Sequence, residues 1–382
     1  MAPTKWGIVS AGRISHDFVA CLRSLPSEEH QAGGHTVSVV GFRSSRFLYA
    51  NFLQHHLNST ELGYDQFDEV LSENAFFLFQ IIAVAGRNYD NAKKFAQLHE
   101  IPKVYASYEE LAEDRDVEVA YVGCLNPDHY KTTKLLFDHG KHVLCEKPLT
   151  TSLWHTQDLI RTSKEKKLFL MEAVWSRCFP AYLDLRTELD KGLVGNALHV
   201  NVTFGYASKN RDRVLKRDLG GSALLDVGVY CLALIDLVYG GDLPQKVQAV
   251  GNLTDERVDD GAAVSMMFSN GRLATFTVSL VVDLPNVAEI AGTKGIVRVE
   301  KPFWCPVRVE MPSGHREYPI PKTVVPCNHV NSGGLCYEAS EVRRCLQAGL
   351  IKSPCMTHEA TERVALLTSE IFKQLGVPYA NE

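Results

Sequence analysis

The chain has 382 residues, 45% of them hydrophobic and 22% charged, with a formal net charge of −5. That length exceeds what one hydrophobic core usually holds, so two domains are expected. The acidic balance offers no basic surface for nucleic acid, the opening MAPTKWGIVSAG lacks the basic and apolar regions of a secretory signal, and no long apolar run reads as a membrane span. The 10 cysteines form no C-x-x-C pair and no zinc-spaced cluster with histidine, so they read as reduced thiols of a cytoplasmic protein without a structural metal.

The first half alternates short apolar strands with helical patterns. Residues 5–10 read as a strand that runs into a turn and a helix at 14–25. In WGIVSAGRIS the places of a G-x-G-x-x-G fingerprint fall on Ser10, Gly12 and Ser15, of which only Gly12 is glycine. A glycine there would let backbone N–H groups approach a pyrophosphate at the helix N-terminus. Taken alone the match is weak, and an ordinary tight turn reads equally well.

About fifty residues then separate this helix from the next strand, where a βαβ unit normally has a short link. One reading is a functional lid. The preferred reading is a translated intron at 37–80. Val37-Ser38 can be encoded as a splice donor, and Phe76 to Gln80 as a pyrimidine tract ending in an acceptor. A genomic alignment that keeps this segment within an uninterrupted exon of many relatives would remove that reading. As genuine protein it is expected to be a surface excursion without a catalytic role.

The strand at 81–85 ends in Gly86-Arg87, where NAD-binding folds place an acidic residue on the ribose. An arginine there can pair with a 2′-phosphate, which favours NADP. Helices follow at 91–99, 108–112, 128–139 and 153–166, and strands at 119–123, 142–145 and 168–172. Such alternation defines a doubly wound parallel sheet. The strand at 142–145 leaves its core through Glu146, Lys147 and Pro148. A lysine at a strand's carboxyl edge sits where open α/β sheets bind ligands.

From about residue 197 the pattern changes to strands joined by short Gly, Asn or Asp turns, a largely antiparallel sheet with one open face. Within GGSALLDVGVYCLALIDLVYG, Asp226 and Tyr230 share one face of an apolar helix, a costly placement unless the two groups are used or paired. Two helices, near 340–348 and at 358–375, close the chain. The division falls between 1–174 and 175–382.

Together, WGIVSAGRIS, IIAVAGRN, AYVGCLNPDHY, VLCEKPL, LFLMEAVWSRCFPA, GGSALLDVGVYC, AGTKG and WCP resemble the oxidoreductase family that includes glucose–fructose oxidoreductase and inositol dehydrogenase, over the whole chain except 37–80. The resemblance implies an N-terminal Rossmann domain and a C-terminal α/β domain with a large open, mainly antiparallel sheet that forms a homodimer. It implies NADP held by Ser10, Gly12, Arg13, Ile14, Arg87, Asn126, His129, Glu146 and Lys147, with a cis bond between Lys147 and Pro148. The implied catalytic set is Lys147, Asp226 and Tyr230, and the implied substrate pocket is walled by Trp175, Phe204 and Trp304. His329 of CNHVN stands where a pocket phenylalanine is common, which opens the question of substrate preference.

The implied reaction is oxidation of a secondary ring hydroxyl on a polyol, sugar or dihydrodiol by hydride transfer to NADP⁺. The expected substrates are trans-1,2-dihydrobenzene-1,2-diol, giving catechol, and D-xylose, giving its lactone. Tyr230 would be the base, with Lys147 lowering its pKa and Asp226 orienting the pair or a second hydroxyl. The rival readings are the same chemistry on another sugar, a catalytically idle NADP-binding relative, and an inactive isoform if 37–80 is translated.

Overall fold

The computed structural model describes residues 2–24, 79–208 and 212–381. The proposed insertion at 37–80 lies outside these residues, apart from Phe79 and Gln80, which open the second strand.

The first sheet contains β1 (Thr4–Val9), β2 (Phe79–Ala85), β3 (Lys103–Tyr105), β4 (Val119–Val122), β5 (His142–Glu146) and β6 (Leu170–Ala173). All neighbours are parallel, in the order β3-β2-β1-β4-β5-β6. The central strands β1, β4, β5 and β6 are short runs buried almost throughout, as a helix-covered sheet requires, while β3 at the edge is half-buried. The covering helices are α1 (Arg13–Arg23), α2 (Tyr89–His99), α3 (Tyr108–Glu113), α4 (His129–Asp138) and α5 (Leu153–Lys166). Strand order reverses between β1 and β4, and the crevice at such a switch point is where open α/β sheets take ligands.

After α6 (Pro180–Asp190) comes β7 (Ala197–Gly205), the centre of an eight-stranded second sheet. Between β7 and the next strand lies one π-helical turn, Leu224–Gly228, continued as α7 (Val229–Val238). The remaining strands are β8 (Lys246–Leu253), β9 (Asp259–Met267), β10 (Leu273–Ser279), β11 (Ala288–Gly292), β12 (Gly295–Val299), β13 (Arg308–Met311) and β14 (Gly314–Glu317). Their order is β14-β13-β12-β11-β7-β10-β9-β8, antiparallel throughout except for the parallel pair β7 and β10. Val200, Val202 and Phe204 alternate inward from His199 and Asn201, so one face forms the core and the other is open.

Two helices complete the chain: α8 (Leu335–Gln347), which packs on α1, and α9 (His358–Leu375), which packs on α5, α7 and β8. Arg217–Val238 reaches membrane-spanning length and hydropathy, which the sequence reading missed. Its apolar window is 94% buried in protein, as befits a core helix.

Candidate active site

The turn after β1 forms a cradle. Ser10 has φ 85° and donates its N–H to Ala85 at 2.9 Å. Gly12 is extended and opens α1 with no side-chain cap, so among the described residues no side chain caps the first helical N–H groups. Among the described residues, a Cβ on Gly12 would come no nearer than 3.7 Å to protein, and the buried Ser15 hydroxyl beside it has no partner. An uncapped helix N-terminus over an open step fits the pyrophosphate of a dinucleotide. Ile14 is half-buried in this first turn. Arg13 is turned aside, its Nε donating to Asn328 at 3.1 Å. Arg87 stands exposed past the end of β2 and pairs with Asp128 at 3.1 Å.

β5 delivers Glu146 and Lys147 to the same edge, and the Lys147–Pro148 bond is cis, as expected. The turn is braced from below. Glu172 on β6 accepts the Leu149 N–H at 2.9 Å, and burial pushes its pKa up to about 7. Glu146 accepts from the Tyr121 hydroxyl at 2.6 Å; burial raises its pKa, against the pull of Lys147. His129, expected to touch the cofactor, is wholly buried instead. Its ring nitrogens lie 2.8 Å from the Pro148 carbonyl and 3.1 Å from that of Cys124, so it supports the turn rather than lining the cradle. Burial lowers its pKa. Asn126 donates to the Gly220 carbonyl at 3.0 Å, tying the loop after β4 to the segment that leads into the π turn. Gly220 has φ 73°, and a Cβ there would lie 2.7 Å from Asn126.

Asp226 lies in the π turn and Tyr230 in the first turn of α7. π turns recur at functional sites. The turn's Leu224 N–H is held by the buried Asp259 carboxylate at 2.8 Å. Lys147 Nζ donates to the Asp226 main-chain carbonyl at 2.7 Å and stands 3.5 Å from its Oδ1. Arg213 donates to Oδ1 at 2.9 Å, and the Tyr206 hydroxyl donates to Oδ2. Burial pushes the Asp226 pKa up, but Lys147, Arg213 and Tyr206 together hold it well below the carboxylate range.

Lys147 Nζ is 5.2 Å from the Tyr230 ring centre, so lysine and tyrosine meet in one cleft. Among the described residues none hydrogen-bonds the Tyr230 hydroxyl. The expected drop in its pKa is reversed: burial raises it well above 10, and the carboxylates of Glu146 and Asp226 add to the rise. The ammonium is spent on Asp226 instead of on the phenol oxygen.

Phe204, at the end of β7, lies 5.9 Å from the Tyr230 ring and stacks on Trp304 at 3.9 Å, giving the cleft one aromatic wall. Trp175 follows β6, buried edge-to-face on Phe179 at 5.3 Å, and its indole N–H has no partner among the described residues. It makes no ring contact with Phe204 or Trp304. His329 Nδ1 sits 2.9 Å from Asp17 on α1, on a loop that also bonds Arg13 through Asn328.

Tyr206, Arg213 and Asp17 escaped the sequence reading. A tyrosine after a strand and an arginine in a polar stretch carry no periodic signal, and their importance lies in partners distant along the chain. Among the described residues no group of three or more His, Cys, Asp or Glu is gathered as a metal site.

A parallel sheet with an uncapped glycine turn at its switch point, opening onto a lysine–tyrosine cleft, defines a dinucleotide-dependent oxidoreductase. The sequence profile described as "Oxidoreductase family, NAD-binding Rossmann fold" matches residues 35–174, and that of the GFO/IDH/MocA C-terminal domain matches 182–298. The chain belongs to the GFO/IDH/MocA oxidoreductase family. It is 37% identical over 378 residues to the trans-1,2-dihydrobenzene-1,2-diol dehydrogenase of Danio rerio, and 35% identical over 378 residues to that of Homo sapiens. Each alignment covers 99% of this chain and 98% of the relative. The fold is similar to a 3-ketoreductase from Actinomadura kijaniata in complex with NADP (TM-score 0.70, 21% identity, 97% of this chain and 98% of that one). It is also similar to a levoglucosan dehydrogenase in complex with NADH and levoglucosan (TM-score 0.73, 17% identity, 98% and 100%).

Proposed function

We propose that the chain is an NADP-dependent dehydrogenase of secondary ring hydroxyls, acting on trans-1,2-dihydrobenzene-1,2-diol and on D-xylose. The observation that carries this reading is the meeting of Lys147 and Tyr230 in one cleft beside the Phe204–Trp304 wall. A bound nicotinamide dinucleotide supplies the hydride acceptor. The residues do the rest. The α1 N-terminus at Gly12 to Ser15 holds the pyrophosphate, and Arg87, once it releases Asp128, pairs with a 2′-phosphate. Lys147 donates to the substrate oxygen, and Tyr230 takes its proton. The carbinol hydrogen leaves as hydride, and the ring becomes a ketone or lactone. The ketone from a dihydrodiol tautomerises to catechol. The aromatic wall suits a flat diene ring or the apolar face of a pyranose.

The relatives named as dihydrodiol dehydrogenases support the substrate class, and the neighbours in complex with NADP and with NADH support the cofactor class. In the same reading residues 1–174 bind the cofactor, residues 175–382 bind substrate, the open sheet face pairs two copies, and the ten free thiols suit the cytoplasm.

Initial rates with NADP⁺ and NAD⁺ on the dihydrodiol, D-xylose and D-glucose test this, alongside Lys147→Met and Tyr230→Phe. Each variant is expected to lose about 10²–10⁴ in turnover while still binding NADPH. Normal turnover in either variant ends the proposed mechanism, and no turnover of any substrate by the native protein ends the assignment.

A further inference from the structure

Asp226 is shared between two cations, and they do not share it equally. Arg213 reaches the carboxylate at 2.9 Å, whereas the Lys147 ammonium stands 3.5 Å from the same oxygen and bonds the neutral main-chain carbonyl at 2.7 Å. The other carboxylate oxygen is taken by the Tyr206 hydroxyl. Both contacts are charge-assisted through the ammonium, but only the carboxylate adds the attraction of two opposite full charges, so an isolated lysine would close onto Oδ1. The Arg213 guanidinium, on a side chain 47% exposed, is already seated on that oxygen.

We propose that Arg213 is a positioning residue for Lys147. By occupying the Asp226 carboxylate it leaves the ammonium on the main-chain oxygen, with its other N–H donors free for the substrate oxygen. Tyr206 serves the same end by fixing the carboxylate's orientation. This rests on the function proposed above, in which Lys147 touches the reacting hydroxyl, and adds a reason why the lysine is available to do so.

The Arg213→Met variant tests the assignment in two ways. In its crystal structure the Lys147 ammonium is expected to move onto Asp226 Oδ1, to the roughly 2.7–2.9 Å of a charge-assisted bond. A lysine still nearer the main-chain carbonyl than the carboxylate overturns the proposal whatever the enzyme oxidises. In kinetics, a shift of this size at a reacting group costs on the order of 10–100-fold in kcat, with little change in the NADPH dissociation constant or in the KM for D-xylose. Arg213→Lys, which restores one cation at Oδ1, is expected to recover most of the loss, and Tyr206→Phe to show a smaller one. An unchanged kcat overturns the proposal, as does a loss shared with cofactor affinity, which would mark Arg213 as a support of the fold. If the native protein oxidises neither ring, the function proposed above falls, and the crystal structure alone still decides the role of Arg213.

Discussion

The Lys147 ammonium lies 5.2 Å from the centre of the Tyr230 ring, yet its shortest hydrogen bond goes to Asp226, the residue one helical turn before that tyrosine. Glu146 and Asp226 face the phenol with negative charge, and burial adds to their effect, so the phenol keeps its proton well past pH 10. Lys147 is the cation facing the ring, and it and Arg213 are both engaged by Asp226. A phenol of this kind is a better acid than base near neutrality. Reduction of a ring ketone by NADPH is therefore expected to be flat from pH 6 to 8. Oxidation is expected to climb about tenfold per pH unit over the same range, because the fraction of phenolate grows that way. Tyr230→Phe should abolish the climb. An oxidation rate already level at pH 7 in the native enzyme would show that the phenolate forms there and would overturn this reading.

Asp17 on α1 gathers the late loop. Its carboxylate accepts from the N–H and Nδ2 of Asn328, from the N–H and Nδ1 of His329, and from the Ser332 hydroxyl. Burial opposes ionisation, but these donors together hold its pKa far below the usual carboxylate value. A depressed carboxylate pKa contributes stability above the unfolded value near 4, lost as pH falls toward the folded one. Asp17→Asn is expected to lose about 2–4 kcal/mol at pH 7, with the gap shrinking below about pH 3. Urea titrations at the two pH values measure it, and an equal gap at both would refute the argument.

The doubly wound sheet was legible because its central strands are buried runs between amphipathic helices; α5 and α9 fall where periodicity places them. Lys147 and Tyr230 each sit in a compact motif at an element's edge, and it was the family resemblance of those motifs that set the two side chains in one site. The electrostatics between them were not. The carboxylate that draws the ammonium is also held by Arg213 and Tyr206, which arrive from the stretch after β7 that no local pattern connects to the site. His129 misled for a related reason: position along the chain put it near the cofactor, while burial beneath Pro148 gave it another task. β3 was missed because three half-buried residues carry no period.

Glu172 holds the turn that carries Lys147, at a cost that depends on pH. Its folded pKa is raised by burial from 4.5 to about 7. The native state therefore keeps a proton that the unfolded chain releases, and stability falls as pH rises from 4.5 through 7. Glutamine keeps an acceptor for the Leu149 N–H without the charge. Glu172→Gln is expected to be more stable than the native protein at pH 8 by roughly 1–3 kcal/mol, and equal to it below about pH 4.5. Thermal melts across pH 4–8 decide this, and a difference independent of pH would count against it.

The open face of the second sheet carries an apolar row. Met267 on β9 pairs with Leu273 on β10, Leu273 with His199 on β7, His199 with Ala291 on β11, and Ala291 with Ile296 on β12. Paired residues share a face, so these five side chains form one stripe across the sheet. Met267 is 43%, Leu273 42% and Ile296 60% exposed, and Val250 on β8 is 71% exposed on the same face. Flat exposed apolar patches of this extent mark association surfaces more often than free ones. A second copy laid across this face would cover the stripe without touching the cleft, which lies on the sheet's other side with Phe204. Sedimentation velocity at micromolar concentration is expected to show a dimer. Leu273→Glu together with Ile296→Glu is expected to give a folded monomer with NADPH affinity within about twofold of native, since like charges set against each other across an interface disfavour docking by several kcal/mol. A native monomer, or a charged variant that still dimerises, would place the interface elsewhere.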